Sequence, residues 1–147
     1  ALRWRGWAAS HVPLLWSLHM AFAWLPIAAL LSAVQSLALF SGYGAVLGLA
    51  PTHALGMGLA TSMVFAMVTR VSLGHSGRRL EMDNLSVLCF LILQLAVVAR
   101  LLAEVTAGHL RWLFLFVAIG AWFEAILPWA IRYGRIYCRP RLDGQPG

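Results

Sequence analysis

Four apolar runs, approximately Leu14 to Leu39, Pro51 to Leu73, Leu85 to Val105 and Leu110 to Ile131, dominate the sequence. Each meets the roughly 20 residues that a helix needs to cross about 30 Å of hydrocarbon. Lipid offers no water to a backbone amide, so each run must bond within itself, as a helix does. The expected fold is all-α: a polytopic transmembrane helical bundle, with four spans forming a single domain over residues 1–147.

Composition supports this reading. The chain is 61% hydrophobic and 11% charged, against about 45–50% and about 25% in soluble domains. All eleven basic residues are Arg. The net charge of +6 would suggest nucleic acid only if the charges formed a stripe; they cluster between apolar runs instead. Cys89 and Cys138 spell out neither a disulfide framework nor a C-x-x-C metal site. The first run is longer than a signal-peptide core and carries no clean cleavage site, so it reads as a span. The chain opens on Ala1, followed by Arg3, Trp4, Arg5 and Trp7, and is expected to be a portion of something longer.

Arg placement gives an orientation, because cytoplasmic loops retain positive charge. Arg3, Arg5, Arg70, Arg78, Arg79, Arg132, Arg135, Arg139 and Arg141 fall on one side and Arg111 on the other. Both termini are therefore expected in the cytoplasm. Pro26 and Pro128 lie inside spans, where each removes a backbone donor. Ala54-x3-Gly58 and Gly56-x3-Ala60 are small-residue pairs suited to close helix packing.

Ionisable groups within spans are costly and so mark candidate sites. His19, His53, Arg100, Glu104 and Glu124 qualify. Glu104 follows Arg100 by four residues, which allows a local ion pair; the functional alternative has Arg100 meeting an anionic group at the depth of His53. Imidazole is the commonest metal ligand, which makes His53, His19 and His75 metal candidates. His19 and His53 differ in depth by about 20 Å at 1.5 Å per residue, so they are not expected on one iron. Met20, Met57, Met63 and Met67 offer thioethers, although methionine at helical spacing is more often packing.

The segment RVSLGHSGRR, Arg70 to Arg79, ends the second run. Gly56, Met63 and Arg70 recur every seven residues and should share a stripe, placing Arg70 against protein. Gly74 and Gly77 permit left-handed turns that would fold His75 back toward the inner halves of the first and fourth spans, to meet Glu124 or a ligand there. Arg78 and Arg79, followed by Glu81 and Asp83, read as a solvated anchor.

Taken with LLWSLHMAFAWLP, THALGMGLATSMVFAMVTR, VVARLL and RPRLDGQPG in the same order, this segment resembles the C-terminal part of the NnrS family. The resemblance implies a bacterial inner-membrane protein of about twelve spans, associated with haem and copper and with the nitric oxide response in denitrification and nitrosative stress. By the same resemblance, His19, His53, Arg70, His75 and Arg100 match positions expected to bind cofactor. Glu124 departs from the family pattern. The implied partners are the lipid bilayer, the remaining helices of the longer protein, and nitric oxide or its iron adducts. No nucleophile with a base and no glycine-rich phosphate loop is spelled out, so an enzyme is not the leading reading. A transporter of a small solute or metal, and a purely structural or assembly role, are the competing readings.

Overall fold

The computed structural model describes residues 12–142, and among them the regular structure is entirely helical. Four helices are long and apolar enough to cross a membrane: α1 (Pro13–Phe40), α2 (Ala50–His75), α3 (Asn84–Val105) and α4 (Gly108–Tyr137). The four expected runs are all present, and α4 continues six residues past Ile131. Arg132 and Arg135 lie in that extension, where long side chains can carry charge out of the apolar layer along a helix face. Arg3, Arg5, Trp4, Trp7 and the Asp143-Gly144 tail lie outside the described residues.

Pro13 begins α1, where its missing N–H is not needed. The helix stops in a Schellman motif: Tyr43 N–H donates to Ala38 O and Gly42 N–H to Leu39 O, with Gly42 at φ +83°. The same device ends α2. Arg78 N–H donates to Leu73 O and Gly77 N–H to Gly74 O, with Gly77 at φ +68°. Gly74 stays helical, so only one of the two glycines in RVSLGHSGRR makes a left-handed turn.

Helix α2 is not uniform. A π-helical stretch, Ala54–Thr61, separates an α-helical turn at Ala50–His53 from the α-helix Ser62–His75. The hydroxyls of Thr61 and Ser62 follow the wider spacing, donating to the carbonyls of Gly56 and Met57, five residues back. Ala54 and Gly58 are buried here, whereas Gly56 and Ala60 are exposed, so one small-residue pair packs and the other does not. A Cβ on Gly58 would meet the Trp24 ring at 2.6 Å, and glycine is what admits that indole.

Helices α3 and α4 form an antiparallel hairpin over stripes of buried small residues. Ala96, Ala99 and Ala103 lie on one helix and Ala118, Ala121 and Ala125 on the other, a spacing that lets backbones approach closely in lipid. Phe65, Phe90, Leu93 and Tyr133 form the larger core cluster toward the arginine-rich end. Trp24, Ala28, Ala54 and Val97 form a smaller one toward the other end.

Candidate functional site

The polar groups inside the bundle fall into three levels. At the middle level, Trp24 Nε1 donates to Gln94 Oε1 (2.7 Å) and Gln94 Nε2 donates to Ser62 Oγ (2.9 Å), linking α1, α3 and α2. A lone Gln in an apolar run is a signal of the same kind as a buried charge, because its amide must find partners away from water. Gln94 carries no charge, so it does not stand out in the sequence beside the ionisable groups of the spans.

The second level lies where α1 ends, α2 begins and α3 ends. Arg100 and Glu104 form the local i, i+4 ion pair, with the Glu104 side chain 7% exposed. The contact is close, yet Arg100 Nη1 is buried without an aligned hydrogen bond. Glu104 Oε2 also accepts from Leu49 N–H (3.1 Å). The carboxylate therefore sits at the N-terminus of α2, where the helix dipole favours negative charge. Gly48, at φ +50°, approaches the same carboxylate so closely that a Cβ there would collide with Oε2. Gln35 of α1 fixes the loop from the other side, accepting from Leu47 N–H (2.8 Å) and donating to Gly48 O (3.4 Å).

His53 lies one turn into α2 from this cap, half-buried. Its Nδ1 is 2.8 Å from Leu49 O. A carbonyl only accepts, so Nδ1 carries the proton, and in the neutral ring Nε2 holds the lone pair. Hydrogen bonding of one ring nitrogen to a backbone carbonyl is how metal-binding imidazoles are commonly oriented. A largely apolar cavity of about 450 Å³ lies between α2, α3 and α4, lined by Met57, Thr61, Arg100, Trp122 and Phe123 among others, with His53 outside its lining. Met57 and Thr61 belong to the π-helical stretch. Such stretches occur disproportionately at functional sites.

The third level is the arginine-rich end. His19, half-buried on α1, has its Nδ1 2.7 Å from Leu15 O, the same arrangement as His53. Arg70 and His75 are exposed. The stripe through Gly56, Met63 and Arg70 is exposed or half-buried along its length, so it points away from the core, and Arg70 does not pack against the described helices as expected. The packed glycine of α2 is Gly58, and the π-helical stretch changes the angular step between it and Arg70.

His75 does not fold back to Glu124. It ends α2 and lines a cavity of about 430 Å³ with Ser72, Tyr137, Arg139 and Arg141, where Ser72 Oγ and Tyr137 Oη are 2.8 Å apart. Glu124 is exposed and lies about 20 Å back along α4 from Tyr137 at 1.5 Å per residue. Arg78 differs from the expected solvated anchor too, being half-buried, with its Nη1 buried and unbonded among the described residues. It shares a cavity of about 590 Å³ with Arg132, Arg135 and Arg139. Arg132 pairs with Asp83 at 3.0 Å.

The structure thus brings Arg100 to Glu104 near the start of α2, and it leaves His19, Arg70 and His75 toward the opposite end. Among the described residues no group of three His, Cys, Asp or Glu is placed to hold a metal ion. Cys89 and Cys138 are free thiols.

No curated protein and no solved structure matches the chain. The family model described as NnrS protein matches residues 1–141, nearly its whole length. On that match, over a bundle of four helices of membrane-spanning length, the chain belongs to the NnrS family.

Proposed function

We propose that this chain is part of a bacterial inner-membrane protein, both described ends facing the cytoplasm, that binds haem and copper and protects against nitric oxide. Family membership supports the nitric oxide response. The observation that carries the cofactor reading is the carbonyl-anchored His53, whose Nδ1 bond to Leu49 O presents Nε2 as a ligand lone pair.

The residues fit haem in part. His53 would hold the group's iron through Nε2, and His19 has the same Nδ1 arrangement at a different level. Arg100 borders the apolar cavity and is already matched by Glu104, so it would meet a propionate only by sharing its charge. No three His, Cys, Asp or Glu side chains are placed to hold a metal ion among the described residues, so a copper site would draw further ligands from helices of the longer protein. Bound haem supplies an iron centre able to take nitric oxide as a ligand. The chain's own residues fix the imidazole tautomer, line the apolar cavity with Trp122 and Phe123, and hold a cation beside it. Arg70 and Glu124, exposed on outward faces, suit contact with those further helices, because intramembrane charges normally face protein or a polar cavity.

The test is optical and metal analysis of the purified full-length protein, followed by His53→Ala and His109→Ala. His109 is exposed in the first turn of α4 and serves as the control. Loss of the Soret band or of bound copper with His53→Ala alone supports the reading. Equal loss from both variants at normal abundance counts against His53. Solute flux in proteoliposomes without any chromophore would favour a transporter.

A further inference from the structure

We infer that the arginine-rich end of the bundle holds a site for one anionic phospholipid, its phosphate on Arg78 and Arg135 and its acyl chains along Leu127 and Ile131. The cavity of about 590 Å³ that contains these four residues also contains Arg132 and Arg139 and has no acidic side chain in its lining. Asp83 neutralises Arg132 alone, so the remaining arginines leave the site strongly positive.

Two features select a lipid headgroup over other anions. One is the buried Nη1 of Arg78, which lacks a hydrogen-bond partner among the described residues. A buried guanidinium N–H calls for an acceptor, and phosphate oxygens match the guanidinium fork. The Schellman turn at Gly77 is what delivers Arg78 to this place, by bonding its amide back to Leu73 O.

The other feature is a gradient along α4. Leu127, Ile131 and Arg135 follow one another at one-turn spacing, so the face changes from apolar to cationic over about 12 Å of helix, and Arg139 lies just past the helix end at Tyr137. The charged end coincides with the ends of two apolar spans and the start of a third. Basic pockets between spanning helices at that level suit anionic headgroups, and only a lipid uses the apolar half as well.

The experiment is native mass spectrometry of the full-length protein in detergent, equilibrated with mixed micelles of equal phosphatidylglycerol and phosphatidylcholine. The wild-type protein should retain phosphatidylglycerol preferentially. Near a membrane surface each arginine contributes roughly fivefold in affinity. Arg78→Gln/Arg135→Gln should bring retention down to the phosphatidylcholine level. Ile131→Trp, which fills the apolar half and keeps every arginine, should lower it too, and it decides the matter if the double variant folds poorly. Arg111→Gln, at the opposite end of α4, should change nothing. Equal retention of the two lipids, or undiminished phosphatidylglycerol on Ile131→Trp, overturns the inference. Displacement of phosphatidylglycerol by inorganic phosphate at about millimolar concentration also overturns it, in favour of a free-anion site.

Discussion

The indole N–H of Trp24 and the amide oxygen of Gln94 meet at 2.7 Å, joining α1 to α3. Because Gln94 also donates to Ser62 on α2, a single side chain ties three helices. Gln94→Leu would leave the indole N–H and the serine hydroxyl without this partner. Hydrogen bonds between membrane helices average about 0.6 kcal/mol and reach about 1.7, so the loss of both is expected to cost about 1–3 kcal/mol. Thermal denaturation in a fixed detergent measures this. Gln94→Glu, which keeps an acceptor for Trp24, should lose less at acidic pH, where its carboxyl is neutral.

Gly58→Ala should destabilise by about 1–3 kcal/mol through overpacking, because the new methyl would meet Trp24 at 2.6 Å. Gly56→Ala, in open space two residues earlier, should be neutral or slightly stabilising. Equal effects in the same denaturation assay would show that the α1–α2 contact is not held at Gly58.

These two glycines mark how far the sequence could be read. The four spans were legible because lipid leaves so few alternatives for a long apolar run, and the i, i+4 spacing of Arg100 and Glu104 announced their pairing. The packing face of α2 was not legible. ALGMGLAT contains two overlapping small-residue pairs, and only the π-helical geometry, which has no sequence mark beyond small residues, decides that Ala54 and Gly58 face inward. The stripe from Gly56 to Arg70 does run along one face, but that face is the outer one, because the packed glycine is Gly58. Arg78 was misread for another reason: a basic residue just past a span is normally solvated, and its burial depends on the turn at Gly77 and on the six further residues of α4.

Gly77→Ala should cost about 1–2 kcal/mol, the strain of an L-residue held left-handed, whereas Gly74→Ala should be tolerated, since its Cβ would make an ordinary 3.6 Å contact with Leu80. Gly77→Ala should also weaken phosphatidylglycerol retention, because the turn it strains delivers Arg78. Retention unchanged in a measurably destabilised Gly77→Ala protein would disconnect the two.

Positive-inside counting predicts the orientation. A reporter fused after Gly147 should report cytoplasm, and a cysteine at Ser41, in the turn after α1, should be labelled from the periplasm. Labelling of that cysteine only from the cytoplasm would reverse the assignment.

The Arg100–Glu104 pair allows the structural and the cofactor roles of Arg100 to be separated. Glu104→Ala removes the acceptor of Leu49 N–H and leaves the guanidinium without its counter-ion. Breaking a fully buried pair from one side costs about 3–5 kcal/mol, much of it the stranded charge, and the loss here should be smaller because the Arg100 side chain is 20% exposed. Arg100→Gln/Glu104→Gln keeps an acceptor beside Leu49 and removes both charges, so it should recover most of the stability lost in Glu104→Ala. Its cofactor content is then the informative quantity. If Arg100 meets an anionic group of haem, the double variant should fold at near-normal abundance and yet bind less haem than Glu104→Gln, which retains the arginine. If both bind haem alike in Soret titrations, Arg100 serves only to hold Glu104 at the head of α2.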